Sequence, residues 1–485
     1  MDIDQQVTLY RQTLRLPLVD PSKRPMLLGG LASALHGRFR QTGQLADLHE
    51  AVMLHRDALS LRPELHPDRS ISLNNLANAL TALFDETGQI QDLNESITLH
   101  EEALVLRPDP HPHRHGSLSN LANAVYVRFG KTGEIEDLNR AVQLHRDALN
   151  LSPASNIDRP NVLNNLAIAL DIRAGETGRV ADLEEAVELC REALRLQPPP
   201  HPERTYYLDN LANSLTSCFR FTGQRKELDE AISLHRDVLD VESASHPGRW
   251  MSLTNLTAEF LMRFDLTGEL QDLDDAVALN RDALQLLPDL NNPHRSDAFS
   301  NLALALVTRF KQTSHPQDLD ETVQLNRKAL ELRPAPHPYR WISLNNLAAA
   351  LERRSAEKDR LEDLNDAIVL HQQALELRPE PHPDRSSSLN NLAVALHRRS
   401  SQPDHLMDLD QAIAWHREAL RLRPKHHPKR SGSLNNLATV LHTRFNHTGL
   451  VAELDEAILM RRELLELITP EYPAFCGYSA LGSCW

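Results

Sequence analysis

The chain has 485 residues, of which 25% are charged, and a formal net charge of -15. That charge argues against a nucleic-acid or anionic-membrane partner, because both require a basic surface that replaces counterions. Four cysteines without CxxC spacing suit a reducing compartment better than a disulfide framework. The sequence has no leader pattern and no apolar run near the roughly 20 residues that span a bilayer, so we expect a soluble, cytoplasmic protein.

A period of 45 residues governs the sequence. The phrase HPDRSSSLNNLAVAL at residues 382–396 returns 45 residues later as HPKRSGSLNNLATVL. One aligned leucine recurs in ten copies, at Leu31, Leu76, Leu121, Leu166, Leu211, Leu256, Leu302, Leu347, Leu392 and Leu437. The period overrides the roughly three globular domains that the length alone suggests. It predicts a stack of small units that contact only their neighbours.

The first element in chain order is a helix without a partner helix before it. Residues 7–17, VTLYRQTLRLP, align with the second helix of a later repeat, ITLHEEALVLRP, so residues 1–21 are predicted to be a partial leading repeat. Ten repeats then fill residues 22–468, and an irregular tail, 469–485, is expected to be poorly ordered. A start inside a repeat favours a fragment or a misplaced start over a capping helix, because terminal repeats usually present a polar outer face.

The first half of each repeat predicts a helix, which we call the A helix. In the second repeat its apolar residues have the spacing of one helix face: Leu73, Leu76, Ala77, Leu80 and Phe84. Pro67 suits the first helical position, so this helix should cover about residues 67–85. Thr87-Gly88 then ends it, since glycine readily adopts the positive φ of a helix C-terminus.

The second half of each repeat predicts another helix, the B helix. Asp92 with Glu95 three residues later has the form of a capping box, which predicts that the helix begins at Asp92. Two apolar stripes, Leu93, Ile97, Ala103 and Leu104 on one and Leu99 and Leu106 on the other, imply two neighbouring helices. Arg107-Pro108 ends the helix, because proline cannot continue it. Each repeat is therefore an antiparallel helical hairpin.

The pattern of small, bulky and proline residues resembles that of the tetratricopeptide repeat (TPR). It is carried by Leu76-Ala77 in the A helix and by Ser96, His100, Ala103 and Pro108 in the B helix. The phrase HPDR-x-x-SLNNLA is similar to the kinesin-light-chain type of TPR, and the wording of the whole repeat is similar to the TPR arrays of fungal CHAT-domain proteins. The stretch between NLA and the small residue of the B helix is seven residues longer than in an ordinary TPR, which is two helical turns. The resemblance implies an all-α, right-handed α-α superhelix of about ten hairpins.

One asparagine position is filled in nine of the ten repeats, and Gly30 is the exception. The resemblance implies that this position faces the concave groove of the superhelix. An amide offers two donors and an acceptor, which suits the backbone of an extended peptide; the alternative is that each asparagine satisfies a backbone group between helices. We call these residues the asparagine row: Asn75, Asn120, Asn165, Asn210, Asn255, Asn301, Asn346, Asn391 and Asn436. Asn78, Asn123 and Asn213, three positions later, are also predicted to bind the partner.

The residue before each row asparagine varies, as in Asn74, Ser119, Asp209 and Thr254. A fixed amide beside a variable neighbour is what a groove with a common backbone grip and local specificity would need. The resemblance also implies that a chaperone-type carboxylate clamp would need Lys or Arg at the groove positions, where none appears. A C-terminal EEVD-type ligand is therefore not expected.

Arginine and histidine also recur, and both favour structural roles. An arginine lies seven residues before the aligned leucine in all ten repeats, and a second lies seven residues after it in eight. Both rows could bind an acidic partner bidentately, but pairing with Asp and Glu of adjacent repeats is the stronger interpretation. The histidines occur one per repeat on a packing stripe or before a proline, and zinc needs several ligands that converge. No metal or cofactor is expected.

The sequence predicts a non-enzymatic scaffold that binds a protein or peptide along the A helices. It contains no GxSxG, P-loop or HExxH motif, and repetition argues against a unique active site. One alternative is the sensing arm of a larger CHAT-type protease whose catalytic part is missing from this chain. Another is an architectural or self-associating array.

Overall fold

A computed structural model shows the chain as two compact units, unit 1 (Met1–Leu234) and unit 2 (His235–Trp485). The predicted tail, 469–485, lies outside the described residues, and the predicted boundaries of the repeat array stay a prediction. The structure describes residues 2–16, 20–201, 203–244, 246, 248–287, 292, 294–337, 339–380, 382, 384–425, 427 and 429–467.

The all-α prediction is confirmed, since the described residues form α-helices and two short 3₁₀ turns, Pro21–Lys23 and Pro403–His405, with no strand among them. After a leading helix, A and B helices alternate. In chain order the α-helices are Ile3–Arg15, Arg24–Thr42, Leu45–Ser60, Arg69–Thr87, Ile90–Val105, Arg114–Thr132, Ile135–Leu151, Arg159–Thr177, Val180–Arg195, Arg204–Thr222, Arg225–Val241, Arg249–Thr267, Leu270–Gln285, Arg295–Thr313, Pro316–Glu331, Arg340–Lys358, Leu361–Glu376, Arg385–Arg399, Asp408–Arg421, Arg430–Thr448 and Val451–Leu467.

Within each unit, an A helix packs against the B helix of its own repeat, and that B helix packs against the next A helix. In the second repeat Leu73 and Leu80 of the A helix and Leu93 and Ala103 of the B helix are fully buried. Burying one leucine side chain contributes about 2 kcal/mol. A single hairpin would leave one face of its B helix exposed, so the repeats are stable only in a stack.

The second stripe of the B helix differs in part from the prediction. Leu106 lies past the end of the helix at Val105 and is exposed. Ser96 and His100 are buried in its place, and Ser96 Oγ donates a hydrogen bond to the Ala77 carbonyl at 2.8 Å. Leu99 of that stripe packs against the apolar cluster that contains Leu76 and Leu80, as predicted, so the stripe combines apolar packing with buried polar contacts.

The turn between A and B helices is as predicted. Gly88 has φ +67° and donates its N–H to the Phe84 carbonyl at 2.7 Å, and the same glycine position has a positive φ in seven repeats. In two of the repeats that lack the glycine, Ser314 and Asp359 take the same left-handed conformation, with φ 53° and 50°. The turn geometry is thus kept in these repeats at a cost in backbone strain.

The predicted capping box at the start of the B helix is wrong. In the second repeat the helix begins at Ile90, its N-cap is Gln89, and no side chain caps it. The aspartate that recurs at this position of the repeats lies in the first turn of the B helix instead. In repeats whose A helix supplies an arginine, the aspartate binds that arginine: Asp137 accepts hydrogen bonds from Arg128 Nε at 2.7 Å and from Arg128 Nη2 at 2.6 Å. The acid therefore joins the two helices of one hairpin.

Candidate functional site

The accessible face of the A helices carries all twelve asparagines that the sequence predicts as binding residues. Exposed side chains are those of Asn78, Asn123, Asn213 and Asn391. Half-buried side chains are those of Asn75, Asn120, Asn165, Asn210, Asn255, Asn301, Asn346 and Asn436. The partner-binding role of these residues stays a prediction.

Neighbouring A helices are joined by hydrogen bonds between amides. In unit 1, Asn210 Nδ2 donates to Asn164 Oδ1 of the preceding A helix at 3.0 Å, and Asn165 Nδ2 donates to Asn123 Oδ1 at 3.4 Å. In unit 2, Asn436 Nδ2 donates to Asn390 Oδ1 at 3.1 Å. Within each unit, the stacking of repeats therefore brings asparagines of adjacent repeats into contact.

At the position before the row four members are buried, and the specificity role that the sequence suggests for this position stays a prediction. The buried members are Asn74, Ser119, Asn164 and Thr254. Asn74 Oδ1 lies 2.9 Å from Nδ1 of His100 in its own repeat. Asn74 Nδ2 donates to Ser117 Oγ of the next A helix at 3.3 Å. The Asn74 side chain therefore ties its A helix to the B helix of its own repeat and to the next A helix.

The exception at Gly30 has a steric cause. A Cβ on Gly30 would lie 2.7 Å from the ring of Tyr10, which belongs to the leading helix. Tyr10 aligns with the buried histidines of later B helices, such as His100. A larger aromatic ring in the leading helix thus takes the space that an asparagine has in the other repeats.

The first arginine row caps the ends of B helices. Arg159 Nη1 donates to the carbonyl oxygens of Ser152 at 2.8 Å and Leu149 at 3.2 Å, and its Nη2 pairs with Glu192 Oε1 at 3.2 Å. Equivalent bonds to backbone carbonyls are made by Arg69, Arg114, Arg204, Arg249, Arg295, Arg340, Arg385 and Arg430. A guanidinium at a helix C-terminus is favoured by the helix dipole. These arginines therefore serve the fold.

The second arginine row forms the ion pairs within hairpins described above, and most of its members also reach the preceding B helix. Arg309 binds Asp318 of its own repeat at 2.7 Å and Asp274 of the preceding repeat at 2.8 Å. Arg354 binds Asp363 and Asp320 in the same way. These contacts support the interpretation that the arginines pair with acids of their own and adjacent repeats.

The histidines of the B helices are core residues. His55, His100, His145 and His416 are buried, and burial lowers the pKa of each to about 4. The histidines before proline play another part: His66 Nδ1 accepts the N–H of Asp68 at 3.1 Å at the start of an A helix. In the part of the chain that the structure describes, no group of three or more His, Cys, Asp or Glu side chains is placed to hold a metal ion.

Sequence reasoning missed two acids at one A-helix position, five residues after the aligned leucine. These are Asp171 in unit 1 and Glu352 in unit 2. Each lies seven residues, or about two turns, after an asparagine, Asn164 and Asn345 respectively. Each of these two acids occurs at this position in a single repeat, so aligning the residues that the repeats share does not reveal it.

Hairpins stacked through hydrogen-bonded A helices, with a polar accessible face, define a helical-repeat protein. More particularly, the chain contains tetratricopeptide repeats, because residues 71–113, 205–248 and 431–471 match the tetratricopeptide-repeat family model. Repeats of this class generally mediate protein–protein interaction and are typically non-catalytic. No curated protein matches the chain.

The chain is similar to several solved structures, and for the first of them the TM-score above 0.5 shows a likeness of fold. A monomeric mutant of IFIT1 with Gppp-AAAA is 14% identical, with 96% of each chain covered and a TM-score of 0.51. The human IFIT1 dimer with m7Gppp-AAAA is 15% identical over 96% of this chain and 100% of that one, with a TM-score of 0.49. The nearly identical TPR-like repeats of a putative kinesin light chain from Podosopora anserina are 20% identical over 45% of this chain and 98% of theirs, with a TM-score of 0.34. At these identities the likeness concerns the fold alone.

None of the described helices combines the length and the apolar character that crossing a bilayer demands.

Proposed function

We propose that the chain is a protein-interaction scaffold that binds an extended segment of a partner protein along the accessible face of the A helices. The observation that carries this proposal is the amide contact between consecutive A helices, such as Asn210 with Asn164. Row asparagines, each half-buried or exposed, recur at one position on nine of the ten A helices and carry peptide-like donors and acceptors. An amide that gives one N–H to a neighbour still has a second N–H and a carbonyl oxygen for a ligand.

The spacing of the row suits an extended chain. Packed helices lie about 8–10 Å apart, and an extended peptide advances about 3.3 Å per residue. Every third residue of a bound segment would therefore meet a new row asparagine. Backbone hydrogen bonds of this kind hold a segment of any sequence, so specificity has to come from the side chains around the row.

A protein partner fits the charge better than a nucleic acid does. The similar IFIT1 structure contains Gppp-AAAA, but the present chain has a net charge of -15, and its row positions carry neutral amides. Nucleic-acid affinity comes mostly from Lys and Arg contacts with phosphates. The asparagine row carries no cations for phosphates, but its amides offer N–H donors and carbonyl acceptors that can pair with a peptide backbone.

The test begins with a peptide selected by the whole chain from a displayed library of random peptides. Replacing Asn120→Ala together with Asn165→Ala should weaken binding of that peptide about tenfold or more, since two amide contacts at about 1 kcal/mol each are lost. Neither residue is buried, so helical content should stay the same. Fluorescence anisotropy measures the affinity, and circular dichroism measures the fold.

Asn150→Ala is the matched control, because Asn150 is an exposed asparagine on a B helix. It should bind the peptide as the unmodified chain does. Equal affinity in the Asn120/Asn165 variant and in this control would contradict the groove mechanism.

A further inference from the structure

The acid at the A-helix position of Glu352 has two partners inside the protein. His371 Nε2, on the B helix of the same repeat, lies 2.8 Å from Glu352 Oε1. Arg398 Nη1, on the next A helix, lies 3.5 Å from Glu352 Oε2. The partly exposed Arg398 approaches from the accessible face, on the helix that carries Asn391. This position in the stack therefore accepts a cation from the side of the groove.

Asp171 has the same place in unit 1 but neither partner. The residue equivalent to His371 is Cys190, and the residue equivalent to Arg398 is Ser217. Ser217 Oγ donates to Asp171 Oδ2 at 3.2 Å. The other carboxylate oxygen, Oδ1, is buried and has no hydrogen-bond partner among the described residues. A neutral thiol and a hydroxyl have thus replaced the imidazole and the guanidinium.

The same two A helices make a second contact, between Ser217 and Asp171, about two helical turns beyond the contact between Asn210 and Asn164. Asp171 lies seven residues after Asn164, and Ser217 lies seven residues after Asn210, so each pair is separated by about two turns on one helix face. Asn210 donates to Asn164 as Ser217 donates to Asp171. The carboxylate therefore lies at the edge of the surface that we propose as the binding groove.

The surroundings leave the charge of Asp171 poorly compensated. Burial raises the pKa of Asp171 to about 6. The hydrogen bond from Ser217 and the through-space attraction to Arg220 lower this pKa, but they do not offset the effect of burial. Burial likewise raises the pKa of Cys190, to about 11, so the thiol stays neutral near pH 7. Tyr126, on the preceding A helix, has its pKa raised by burial and then by Asp171. A partly buried carboxylate in this setting gains from a cation brought by a ligand.

We infer that Asp171 is the receptor for a lysine or arginine side chain of the segment bound along unit 1, in the place that Arg398 has on Glu352. This inference rests on the proposed function and adds a residue preference to it. Ser217 is short where Arg398 is long, and Asp171 keeps a partly exposed surface from which the cation of a ligand approaches. The row asparagines hold the backbone, and Asp171 selects a basic side chain.

The experiment uses the whole chain and a displayed library of random peptides. Selection on the unmodified chain should enrich peptides with a lysine or arginine at one fixed position, and selection on Asp171→Asn should lose that preference. For one enriched peptide, replacing its basic residue with norleucine should weaken binding about tenfold to the unmodified chain, as expected for a close charge pair. The same replacement should leave binding to Asp171→Asn nearly unchanged.

Two further variants separate the outcomes. Glu176→Gln removes an exposed acid of the same helix, about 140° around its axis from Asp171, and should keep the basic preference. Asn165→Ala should weaken every selected peptide. Enriched peptides that depend on Asn165 but show no basic residue would overturn this inference alone. If no peptide is enriched, the proposed function falls and this inference falls with it.

Discussion

Arg173 and Asp182 are joined by two parallel hydrogen bonds, from Nε to Oδ2 at 2.7 Å and from Nη2 to Oδ1 at 2.8 Å. Both side chains are buried, and they come from the A and B helices of one hairpin. The same bidentate pair occurs in other repeats: Arg38 with Asp47, Arg128 with Asp137, Arg263 with Asp272, Arg309 with Asp318, Arg354 with Asp363 and Arg399 with Asp408. In these repeats the pair joins the A helix to the B helix of the same hairpin.

Removing the arginine of this pair should be costly. We expect Arg173→Ala to lower the free energy of unfolding by about 3 kcal/mol, because it leaves the buried Asp182 carboxylate without its cation. Urea unfolding followed by circular dichroism measures the change. Arg191→Ala is the control: Arg191 pairs with Glu188 and Glu230 in exposed positions, so its loss should cost less than about 1 kcal/mol. Equal costs for the two variants would contradict a structural role for the buried pair.

Acid should destabilise the protein through its buried histidines. Burial lowers the pKa of His145 to about 4 from an ordinary 6.5, so the unfolded chain binds a proton between these values while the folded chain does not. Stability is therefore fully present above pH 6.5 and falls as the pH drops to about 4. The loss should be about 1–3 kcal/mol for each such histidine.

The test replaces the titrating ring with a residue that the fold already accepts there. Asn280 and Asn326 occupy the equivalent position in two other B helices, so His145→Asn should fold. Its unfolding midpoint should depend less on pH between 6.5 and 4 than that of the unmodified chain. An unchanged pH dependence would show that His145 titrates normally in the folded protein.

The left-handed glycine at the helix turn should not tolerate a side chain. Gly88 has φ +67°, and we expect Gly88→Ala to lower the free energy of unfolding by about 1 kcal/mol. Gly130→Ala provides the contrast, because Gly130 lies inside a helix with nothing within 4 Å of an added Cβ. That variant should gain about 0.5–1 kcal/mol. Stabilisation by both changes would contradict the assigned turn.

The contact between Gly30 and Tyr10 predicts that a second substitution, at Tyr10, can compensate for a larger residue at Gly30. Gly30→Asn restores the residue of the other repeats but places its Cβ against the ring of Tyr10, so the helix Ile3–Arg15 should detach. Hydrogen exchange over residues 3–15 should then become faster. Adding Tyr10→His, which copies the residue pairing of the later repeats, should restore protection; failure of this double variant would mean that the clash is not the cause.

The sequence predicted the hairpins, the glycine turns and the accessible asparagine row because each is repeated with one period. It misassigned Asp92 because an acid followed by Glu95 satisfies the local rule for a cap, whereas the acid at this position in other repeats, such as Asp137, binds an arginine of the A helix. It also grouped Asn164 with Asn165, although adjacent residues point about 100° apart on a helix. Asp171 was missed because its importance depends on Cys190 and Ser217, which are distant in sequence.

The arginine at the start of each A helix has a practical consequence for shortened forms of the protein. Arg159 closes the end of the helix Ile135–Leu151, which belongs to the repeat before it. A truncation placed at the last residue of a B helix would strip that cap from the final carbonyls. Cut points just beyond the following arginine should therefore give better-behaved fragments for crystallisation than cuts at the repeat boundary.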